Sequence, residues 1–353
     1  MTQVKNNYLF NFAASYEGGG YKRLCAFLRE FNSQGGAFFI LHPNCKSLAN
    51  QFDKNIYFFI KQTKLRRLIN DCGYLSRINH DLKNIDLYYS YGIPIYFKVA
   101  KINWFHISNI LPLTPQNIPM SLLDQIKMRI LGGRIRRNFV NANVISAESN
   151  FSLSLIDKSL KKKLFLSPNG ADDELSSLKE GKLHKKIDIA VVVGTYRYKA
   201  ILESFFVFEY LRQTQCPNLK LVIIGPAQDI PKKVSLNDNV LVTGALHRAD
   251  VINYLKKSKY YISTTYIENS YNAASEGIFL ARESYISDIE PHKELLSNTC
   301  YKKVNIPRLS RKILHVQKSD LSNISIKSWQ NVISETISKI NEALKATSVD
   351  EEI

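Results

Sequence analysis

Hydrophobic residues along the chain form short apolar runs that alternate with longer stretches of helical periodicity. The runs IDIAVVVG and LKLVIIG are apolar throughout, as expected of parallel strands buried on both faces. Strands that alternate with helices predict parallel sheets covered by helices on both sides. Because the alternation occurs in both halves of the chain, the sequence predicts two doubly wound α/β domains in tandem.

The predicted elements can be placed along the chain. Strands of the first half are expected at Tyr8–Ala14, Ala37–His42, Ile56–Ile60, Leu87–Tyr91, Ile102–Ile107, Asn143–Ala147 and Leu164–Ser167. Strands of the second half are expected at Ile187–Val193, Leu219–Ile224, Val240–Val242, Tyr260–Thr264 and Ser284–Ser287. Helices are expected at Tyr21–Phe31, Lys64–Ile78, Ser121–Phe139, Ala200–Arg212, Ala249–Lys257 and Asn272–Leu280. In such domains ligands bind at the carboxyl ends of the strands.

A polar, turn-rich segment, SPNGADDELSSLKEGKLHKK, separates the two halves. It predicts an N-terminal domain over residues 1–175 and a C-terminal domain over residues 176–325. Residues 326–353 are predicted to form a last helix that packs back toward the N-terminal domain, with a frayed tail, ATSVDEEI. The apolar positions on one face of that helix are Trp329, Val332, Ile333, Ile337 and Ile340.

The composition, with 45% hydrophobic and 22% charged residues in 353, is typical of a globular protein. No apolar run approaches the roughly 20 residues that a membrane span needs. The N-terminal segment MTQVKNNYLFNFAAS does not have the pattern of a signal peptide. A cytoplasmic chain is therefore expected.

The net charge of +17 is unevenly distributed. Residues 1–185 contain 26 Lys and Arg against 13 Asp and Glu, and the excess includes the runs KMRILGGRIRR and KKK. A basic surface of this kind attracts phosphate groups, whether of nucleic acid, anionic lipid or a diphosphate-bearing substrate. A basic surface that is only solvated explains the same count.

Two predicted loops have the residue types of a phosphate site. In SYEGGGYKR, Gly18, Gly19 and Gly20 allow close approach of the backbone to a ligand before a helix, although a plain tight turn is the alternative. Arg23 stands where a dinucleotide-binding pattern would have its third glycine, which argues against a nicotinamide or flavin cofactor.

The second loop is VVVGTYRYKA, in which Gly194 ends a strand and two cations precede a helix. Arg197 and Lys199 would oppose the helix dipole unless they bind an anion there or are simply solvated. His106, at the end of another predicted strand, has either a structural role or a role in the ligand cleft.

The stretch TTYIENSYNAASEG carries two carboxylates eight residues apart. Asn269 or Ser270 is expected to cap a helix that contains Glu276, with Glu268 before the cap. At roughly 12 Å along a helical rise, the carboxylates are too far apart to share a proton or a metal. They are predicted to accept hydrogen bonds from the hydroxyls of one extended ligand, such as a nucleotide sugar.

The ordered series of motifs resembles the retaining glycosyltransferases of the GT-B fold in family GT4. The C-terminal half contributes VGTYRYK, LKLVIIGPA, VLVTGALHRADVINYLKKSKYYISTTY, the E-x7-E spacing of Glu268 and Glu276, and SDIEPHKELL. The N-terminal half contributes the G-G-x-x-R of Gly19, Gly20 and Arg23, together with NVISAES and SPNGAD. The resemblance implies two Rossmann-like domains that face each other across a cleft. One departure is ENSY, where the family often has E-G-x-G.

The resemblance also implies residue roles. Lys199, and with it Arg197, would bind the donor diphosphate and stabilise the leaving group, and Glu268 would hold the transferred sugar. Glu276 would bind the ribose hydroxyls, and His106 would face the acceptor. The implied phosphate-binding set is Gly19, Gly20, Gly194, Asn269 and Ser270. The resemblance further implies transfer with retention at the anomeric carbon. The chain has no D-x-D motif, so a metal-independent reaction is expected.

These observations predict a hexosyltransferase that uses a UDP- or GDP-sugar as co-substrate and has no other cofactor. The expected acceptor is a saccharide or a polyprenyl-diphosphate-linked saccharide of O-antigen, lipopolysaccharide or capsule synthesis. Peripheral contact with an anionic membrane at the inner face of the plasma membrane is part of this expectation, and nucleic-acid binding is not. The alternatives are a nucleotide-sugar epimerase of the same fold and a basic nucleic-acid-binding protein.

Overall fold

The fold is described from a computed structural model that covers residues 7–16, 18–62, 73–82, 84–114, 118–171, 187–270, 272–296, 299–321, 324 and 326–350. Contacts divide the chain into two units. The first unit comprises Met1–Pro115, Ser121–Gly170 and Lys327–Ile353, and the second comprises Gln116–Met120 and Ala171–Ile326. The contact boundary therefore falls at Gly170, and the predicted linker after residue 171 lies outside the described residues.

The first unit is built on a seven-stranded sheet whose strands all run parallel. Its strands are β1 (Tyr8–Phe12), β2 (Phe38–Leu41), β3 (Ile56–Phe59), β4 (Leu87–Tyr91), β5 (Ile102–Ile107), β6 (Val144–Ala147) and β7 (Leu164–Leu166). The order across the sheet is β3-β2-β1-β4-β5-β6-β7, which reverses direction between β1 and β4. Every predicted strand of this half is present, with ends that differ by at most two residues.

Helices of the first unit cover this sheet. They are α1 (Gly18–Ser33), α2 (Lys46–Ala49), α3 (Gly73–Asp81), α4 (Leu122–Asn138) and α5 (Asn150–Ser154). Aromatic side chains from the strands and from α1 fill the space between them, and burial of each stabilises the unit by roughly 1.5–3 kcal/mol. The helix predicted over Lys64–Ile78 is described only from Gly73, since residues 63–72 lie outside the described part.

The second unit contains another seven-stranded sheet. Its strands are β8 (Ile187–Val193), β9 (Lys220–Ile224), β10 (Val240–Gly244), β11 (Ser258–Ser263), β12 (Glu283–Ser287), β13 (Lys302–Val304) and β14 (Ile313–Gln317). The order is β10-β9-β8-β11-β12-β14-β13. The five strands from β10 to β12 run parallel, as predicted. The sequence did not predict β13 and β14, and β14 runs antiparallel to both of its neighbours at one side of the sheet.

The helices of the second unit are α6 (Ile201–Thr214), α7 (Lys232–Ser235), α8 (Arg248–Lys257), α9 (Asn272–Leu280) and α10 (Glu290–Leu295). Short 3₁₀ turns connect several elements, including Arg197–Lys199 between β8 and α6. None of the helices in the described part of the chain is long and apolar enough to cross a membrane.

The last helix, α11 (Trp329–Asp350), belongs to the first unit. Ile333 and Ile340 are buried in the aromatic core beside α1, where the apolar spacing of the helix places them on one face. The tail that was expected to be frayed is helical as far as Asp350.

Candidate functional site

In the second unit, the strand order reverses between β8 and β11, which are neighbours in the sheet. The loops that follow such a pair diverge to opposite faces of the sheet and leave a crevice at its carboxyl edge, where ligands of doubly wound domains bind. The loop after β8 contains Gly194 and Lys199, and the loop after β11 contains Glu268. The topology therefore brings these predicted site residues to one place.

The loop after β8 has an unusual backbone that positions Lys199. Gly194 has a φ of +88°, a conformation that glycine adopts without a steric penalty, and Ala200 has a left-handed φ of 50° just before α6. The two turns direct the Lys199 side chain back over Gly194, whose missing Cβ would lie 3.4 Å from Lys199 Cε.

The loop after β11 is bound to the loop after β8 by three hydrogen bonds. The Thr264 hydroxyl donates to the Ala200 carbonyl at 2.9 Å, and the Thr265 hydroxyl donates to the Tyr198 carbonyl at 3.2 Å. The Tyr266 N–H also donates to the Tyr198 carbonyl, at 2.8 Å. Because these bonds fix both loops, the side chains that leave them have a defined relative position.

Lys199 and Glu268 form an ion pair across these loops. Lys199 Nζ lies 2.5 Å from Glu268 Oε1, and the two side chains are only 12% and 19% exposed. A partly enclosed pair of this kind contributes more than a surface ion pair, since water screens it less. Lys199, which is predicted to bind the diphosphate, and Glu268, which is predicted to hold the sugar, thus contact each other directly.

Arg311 stabilises this arrangement from behind the loops. Its guanidinium donates to the carbonyls of Thr264 and Thr265 at 2.6 and 3.0 Å, and it forms an ion pair of 2.7 Å with Glu203 in the first turn of α6. No sequence pattern pointed to Arg311, because it precedes β14, a strand that was itself not predicted.

Glu276 lies in α9, after the turn that contains Asn269 and Ser270. Its carboxylate is 13% exposed and accepts a hydrogen bond of 2.9 Å from Arg248, the first residue of α8. No role for Arg248 was predicted from its position in the sequence. The residue expected to connect the predicted cap to α9, Tyr271, is outside the described residues.

Arg197 is placed apart from the Lys199–Glu268 pair. Its side chain is 61% exposed, and its Nε lies 3.6 Å from the Asp229 carboxylate in the loop after β9. In this structure, therefore, the two cations of the loop after β8 face two different carboxylates and do not converge on one point.

His292 in α10 is a further buried group near the pair. Its Nδ1 lies 2.8 Å from the Ser287 carbonyl, so Nδ1 carries the hydrogen, and Nε2 has no hydrogen-bond partner in the part of the chain that is described. Burial lowers the pKa of His292, and the charges of Glu268 and Lys199 act on it in opposite directions. The sequence pointed to its segment, SDIEPHKELL, but not to this residue.

In the first unit, His106 belongs to a buried polar cluster. It lies within β5, has no exposed surface, and stacks on the Tyr91 ring with a centroid distance of 4.9 Å. Its Nδ1 is 2.8 Å from the Ser146 hydroxyl, and its Nε2 is 3.8 Å from the Glu148 carboxylate. Glu148, which lies in the segment NVISAES and was not predicted as a site residue, also accepts a hydrogen bond of 2.9 Å from the Tyr91 hydroxyl.

The electrostatics of this cluster fix its protonation. Burial, and after it the Arg23 charge, lower the pKa of His106 to about 4, against the opposing effect of Glu148. Burial alone would raise the pKa of Glu148, but His106, Arg23 and the Tyr91 hydroxyl together lower it below its ordinary value. At neutral pH the cluster therefore contains a carboxylate and a neutral imidazole.

We expect the stability of the protein to fall as the pH is lowered from about 6.5 to about 4. In this window the unfolded state binds a proton at His106 that the folded state does not accept, so acid favours unfolding. Urea unfolding between pH 7.5 and 4 measures the effect. His106→Gln, which cannot be protonated, should show a shallower pH dependence, and an unchanged slope in this variant would contradict the assignment.

The three glycines were predicted to form a loop before the first helix. They lie instead in its first turn, because α1 begins at Gly18. Gly19 is exposed, whereas Gly20 faces Tyr91, and a Cβ on Gly20 would lie 2.9 Å from the Tyr91 ring. The first-turn N–H groups of a helix have no acceptor within the helix, so they remain suited to an anion.

Arg23 explains the rest of the G-G-x-x-R pattern. Its side chain is fully buried and donates to the carbonyls of Ser167 and Pro168 at 2.7 and 2.8 Å, and to the Ser167 hydroxyl at 2.9 Å. Its position connects α1 with the loop after β7, which is the segment SPNGAD. The Arg23 role seen here is thus structural.

The Arg23→Lys variant should lower the free energy of unfolding by about 2–3 kcal/mol, because the single ammonium group leaves buried carbonyls without donors. Urea denaturation followed by tryptophan fluorescence measures this change. Arg29→Lys in the same helix, at an exposed position, is the matched control and should be neutral. An equal loss in both variants would contradict the role given to the Arg23 hydrogen bonds.

No protein-family model and no curated protein sequence matches this chain.

Solved structures, in contrast, are similar over almost the whole chain. A glycosyltransferase from Rickettsia africae ESF-5 has a TM-score of 0.63 at 13% identity, over 97% of this chain and 100% of the other. Sucrose-phosphate synthase from Thermosynechococcus elongatus has a TM-score of 0.60 at 10% identity, over 96% and 94%. Anabaena HepE, solved in complex with UDP-glucose, has a TM-score of 0.57 at 15% identity, over 98% and 94%. Together with the two parallel-sheet units, this similarity shows the GT-B fold.

Proposed function

We propose that this protein of the GT-B fold transfers a sugar from a nucleotide-sugar donor to a saccharide or lipid-linked saccharide acceptor. The observation that carries the proposal is the Lys199–Glu268 pair at the switch point of the second unit, with Glu276 on the helix that follows. A cation for a diphosphate and two carboxylates for hydroxyls are what a nucleotide sugar requires.

The ion pair provides a simple way to bind the donor. A diphosphate carries more negative charge than a carboxylate. Its binding would therefore draw Lys199 Nζ away from Glu268 and leave Glu268 to accept a hydrogen bond from a sugar hydroxyl. In the reaction, the bond between the anomeric carbon and the diphosphate breaks, and negative charge builds on the leaving oxygen. Lys199 would stabilise that charge.

The remaining assignments concern the rest of the donor. Glu276 would bind the ribose hydroxyls while Arg248 holds its carboxylate in place. Arg197 would turn from Asp229 toward the phosphates. The phosphate-binding set is completed by backbone N–H groups of Gly194, Asn269, Ser270, Gly19 and Gly20.

His106 enters the proposal in a changed role. Since the imidazole has no exposed surface, its place favours positioning of Glu148 and Tyr91 over direct contact with the acceptor. Direct contact with the acceptor was the role predicted from the motifs.

The finer parts of the proposal rest on the motifs and on the neighbours. Anabaena HepE was solved with UDP-glucose, and an Escherichia coli trehalose-6-phosphate protein was solved with UDP-2-fluoro glucose, which supports a UDP-sugar ahead of a GDP-sugar. We further propose a metal-independent, retaining hexosyltransferase of the GT4 type, which acts on a polyprenyl-diphosphate-linked or other saccharide in O-antigen, lipopolysaccharide or capsule synthesis. Peripheral contact of a cytoplasmic protein with the inner face of the plasma membrane completes the proposal.

A ligand screen tests it. Thermal unfolding is measured with UDP, GDP, ADP and their sugars, and a donor at one hundred times its Kd should stabilise the protein by about 2.7 kcal/mol. If none of these ligands raises the unfolding temperature, the proposal fails. If a nucleotide sugar binds but is isomerised without an acceptor, the epimerase alternative replaces it.

A further inference from the structure

Exposed apolar side chains are concentrated on one helix of the first unit, α4. Of the thirteen large hydrophobic residues that are exposed in the described chain, Leu122, Leu123, Ile126 and Ile130 lie in α4, and Val140 lies just beyond it. The two leucines are 72% and 69% exposed, and the two isoleucines are 45% and 47% exposed. Burial within the unit therefore does not account for these residues.

The four side chains share one face of α4. At 100° per residue, positions 122, 123, 126 and 130 fall within a sector of roughly 100°. The opposite side of the helix packs on the unit through Gly132 and Ile135, and a Cβ on Gly132 would lie 2.0 Å from the Pro112 carbonyl oxygen. This close approach fixes the rotation of α4, so the apolar sector is held outward.

Basic residues surround the apolar sector. The cationic side chains of α4 are Lys127, Arg129, Arg134, Arg136 and Arg137. The only acidic residue of the helix is Asp124. Its backbone N–H donates to the hydroxyl of the N-cap residue Ser121, and its carboxylate lies 3.4 Å from Lys127 Nζ. Lys127, Arg129 and Arg137 are exposed and form a basic rim beside the apolar sector on the solvent side. Arg134 is partly buried, and Arg136 donates to the Leu113 carbonyl at 3.0 Å.

We propose that the outward face of α4, formed by Leu122, Leu123, Ile126 and Ile130 with its basic rim, docks on an anionic lipid bilayer. A helix of this composition lies in the membrane interface with its apolar side chains among the acyl chains and its Lys and Arg side chains at the headgroups. The inference deepens the membrane contact in the proposed function and does not depend on sugar transfer.

Charge distinguishes the bilayer from other occupants. A second copy of the chain would bring two basic rims together, which like charges oppose. Nucleic acid would neutralise the rim but would offer no environment for two leucines that are about two-thirds exposed or more. An anionic bilayer satisfies both the apolar sector and the cations.

Vesicle sedimentation with the full-length protein tests the proposal. The protein should bind vesicles that contain phosphatidylglycerol, bind phosphatidylcholine vesicles far less, and dissociate at high salt. Leu122→Glu together with Leu123→Glu should lower the partition coefficient by at least about tenfold. The matched control is Leu236→Glu together with Leu241→Glu, at exposed leucines of the second unit, which should bind as the unaltered protein does.

A charge pair of variants tests the rim. Lys127→Glu with Arg137→Glu should weaken binding to anionic vesicles, whereas Lys232→Glu with Lys233→Glu, with the same change of net charge, should have much less effect. Equal losses in both pairs, or full binding by the Leu122 and Leu123 variant, would overturn the proposal. Concentration-dependent dimers in light scattering that this variant abolishes, without vesicle binding by the unaltered protein, would assign the face to a second copy.

Thermal unfolding with nucleotides distinguishes a failure of the docking face from a failure of the donor site. The Leu122 and Leu123 variant should retain the unfolding temperature and any donor-induced shift of the unaltered protein. Loss of vesicle binding with the donor shift intact supports the docking face alone, whereas vesicle binding without any donor shift leaves the docking face standing and removes the proposed function.

Discussion

Lys199→Ala should lower kcat/KM for sugar transfer by about 10³-fold, because removal of one group that stabilises charge in a transition state costs roughly 3–4 kcal/mol. The Lys199 ammonium is the cation that the two fixed loops hold at the switch point, 2.5 Å from Glu268. Initial rates of donor-dependent nucleotide release, with and without acceptor, measure the effect. Most of the loss should appear in kcat, since the charge on the leaving diphosphate develops only during the reaction.

Two control variants separate chemistry from folding. Arg197→Ala removes a cation of the same loop that is 61% exposed and lies near Asp229, so its effect should be well under that of Lys199→Ala. Lys199→Arg keeps the charge but not the shape of the group, and it should retain part of the activity. Activity of Lys199→Ala within a few-fold of the unaltered protein would remove Lys199 from the mechanism, provided that its unfolding temperature is unchanged.

The strands show how far periodicity alone could determine the fold. Leu87–Tyr91, Ile102–Ile107 and Ile187–Val193 were predicted with their observed ends, because each is a mostly apolar or aromatic run bounded by polar or turn residues. Strands β13 and β14 were missed. The first has only three residues, two of them lysine, and antiparallel pairing at a sheet edge is determined by tertiary contacts that local pattern does not reveal.

The candidate site was predicted in its members but not in its contacts. Lys199 and Glu268 were assigned to one ligand by motif, yet their ion pair spans 69 positions and exists because β8 and β11 are neighbours in the sheet. Arg248 lay in a motif without an assigned role, and Arg311 lay in no motif, so each became recognisable only through the carboxylate that it binds. Sequence patterns therefore identified the groups that we propose to face the donor, and they missed the groups that hold those side chains in place.

The ion pairs of the second unit already compensate the charges that the proposed donor would meet. Lys199 and Glu276 are each paired with a group of opposite charge, so neither is an uncompensated charge in a partly enclosed place. Binding of the donor would exchange these partners for phosphate and hydroxyl groups. The free energy needed to desolvate Lys199 and Glu276 is then largely compensated in the folded protein before the donor binds, as preorganised electrostatics require.

Glu276→Ala should weaken the binding of UDP or GDP and of the matching nucleotide sugar by the same factor, about 10²-fold, because hydrogen bonds to a charged group are worth about 1.5–3 kcal/mol. The equality follows from the assignment of Glu276 to the ribose, which both ligands contain. Isothermal titration of each ligand measures the two affinities. Arg248→Ala, which removes only the partner of the carboxylate, is expected to have a smaller effect because Arg248 is 40% exposed.

Glu268→Gln provides the complementary result that makes the assignment testable. If Glu268 holds the transferred sugar, this variant should weaken the binding of the nucleotide sugar by about tenfold, because a sugar hydroxyl loses its charged acceptor. The affinity for the nucleotide without the sugar should be nearly unchanged. The ratio of the affinity for the nucleotide sugar to the affinity for the nucleotide then distinguishes the role of Glu268 from that of Glu276. Loss of nucleotide binding in Glu268→Gln, together with intact nucleotide binding in Glu276→Ala, would reverse the roles, and equal affinities in all three proteins would exclude both carboxylates from the donor site.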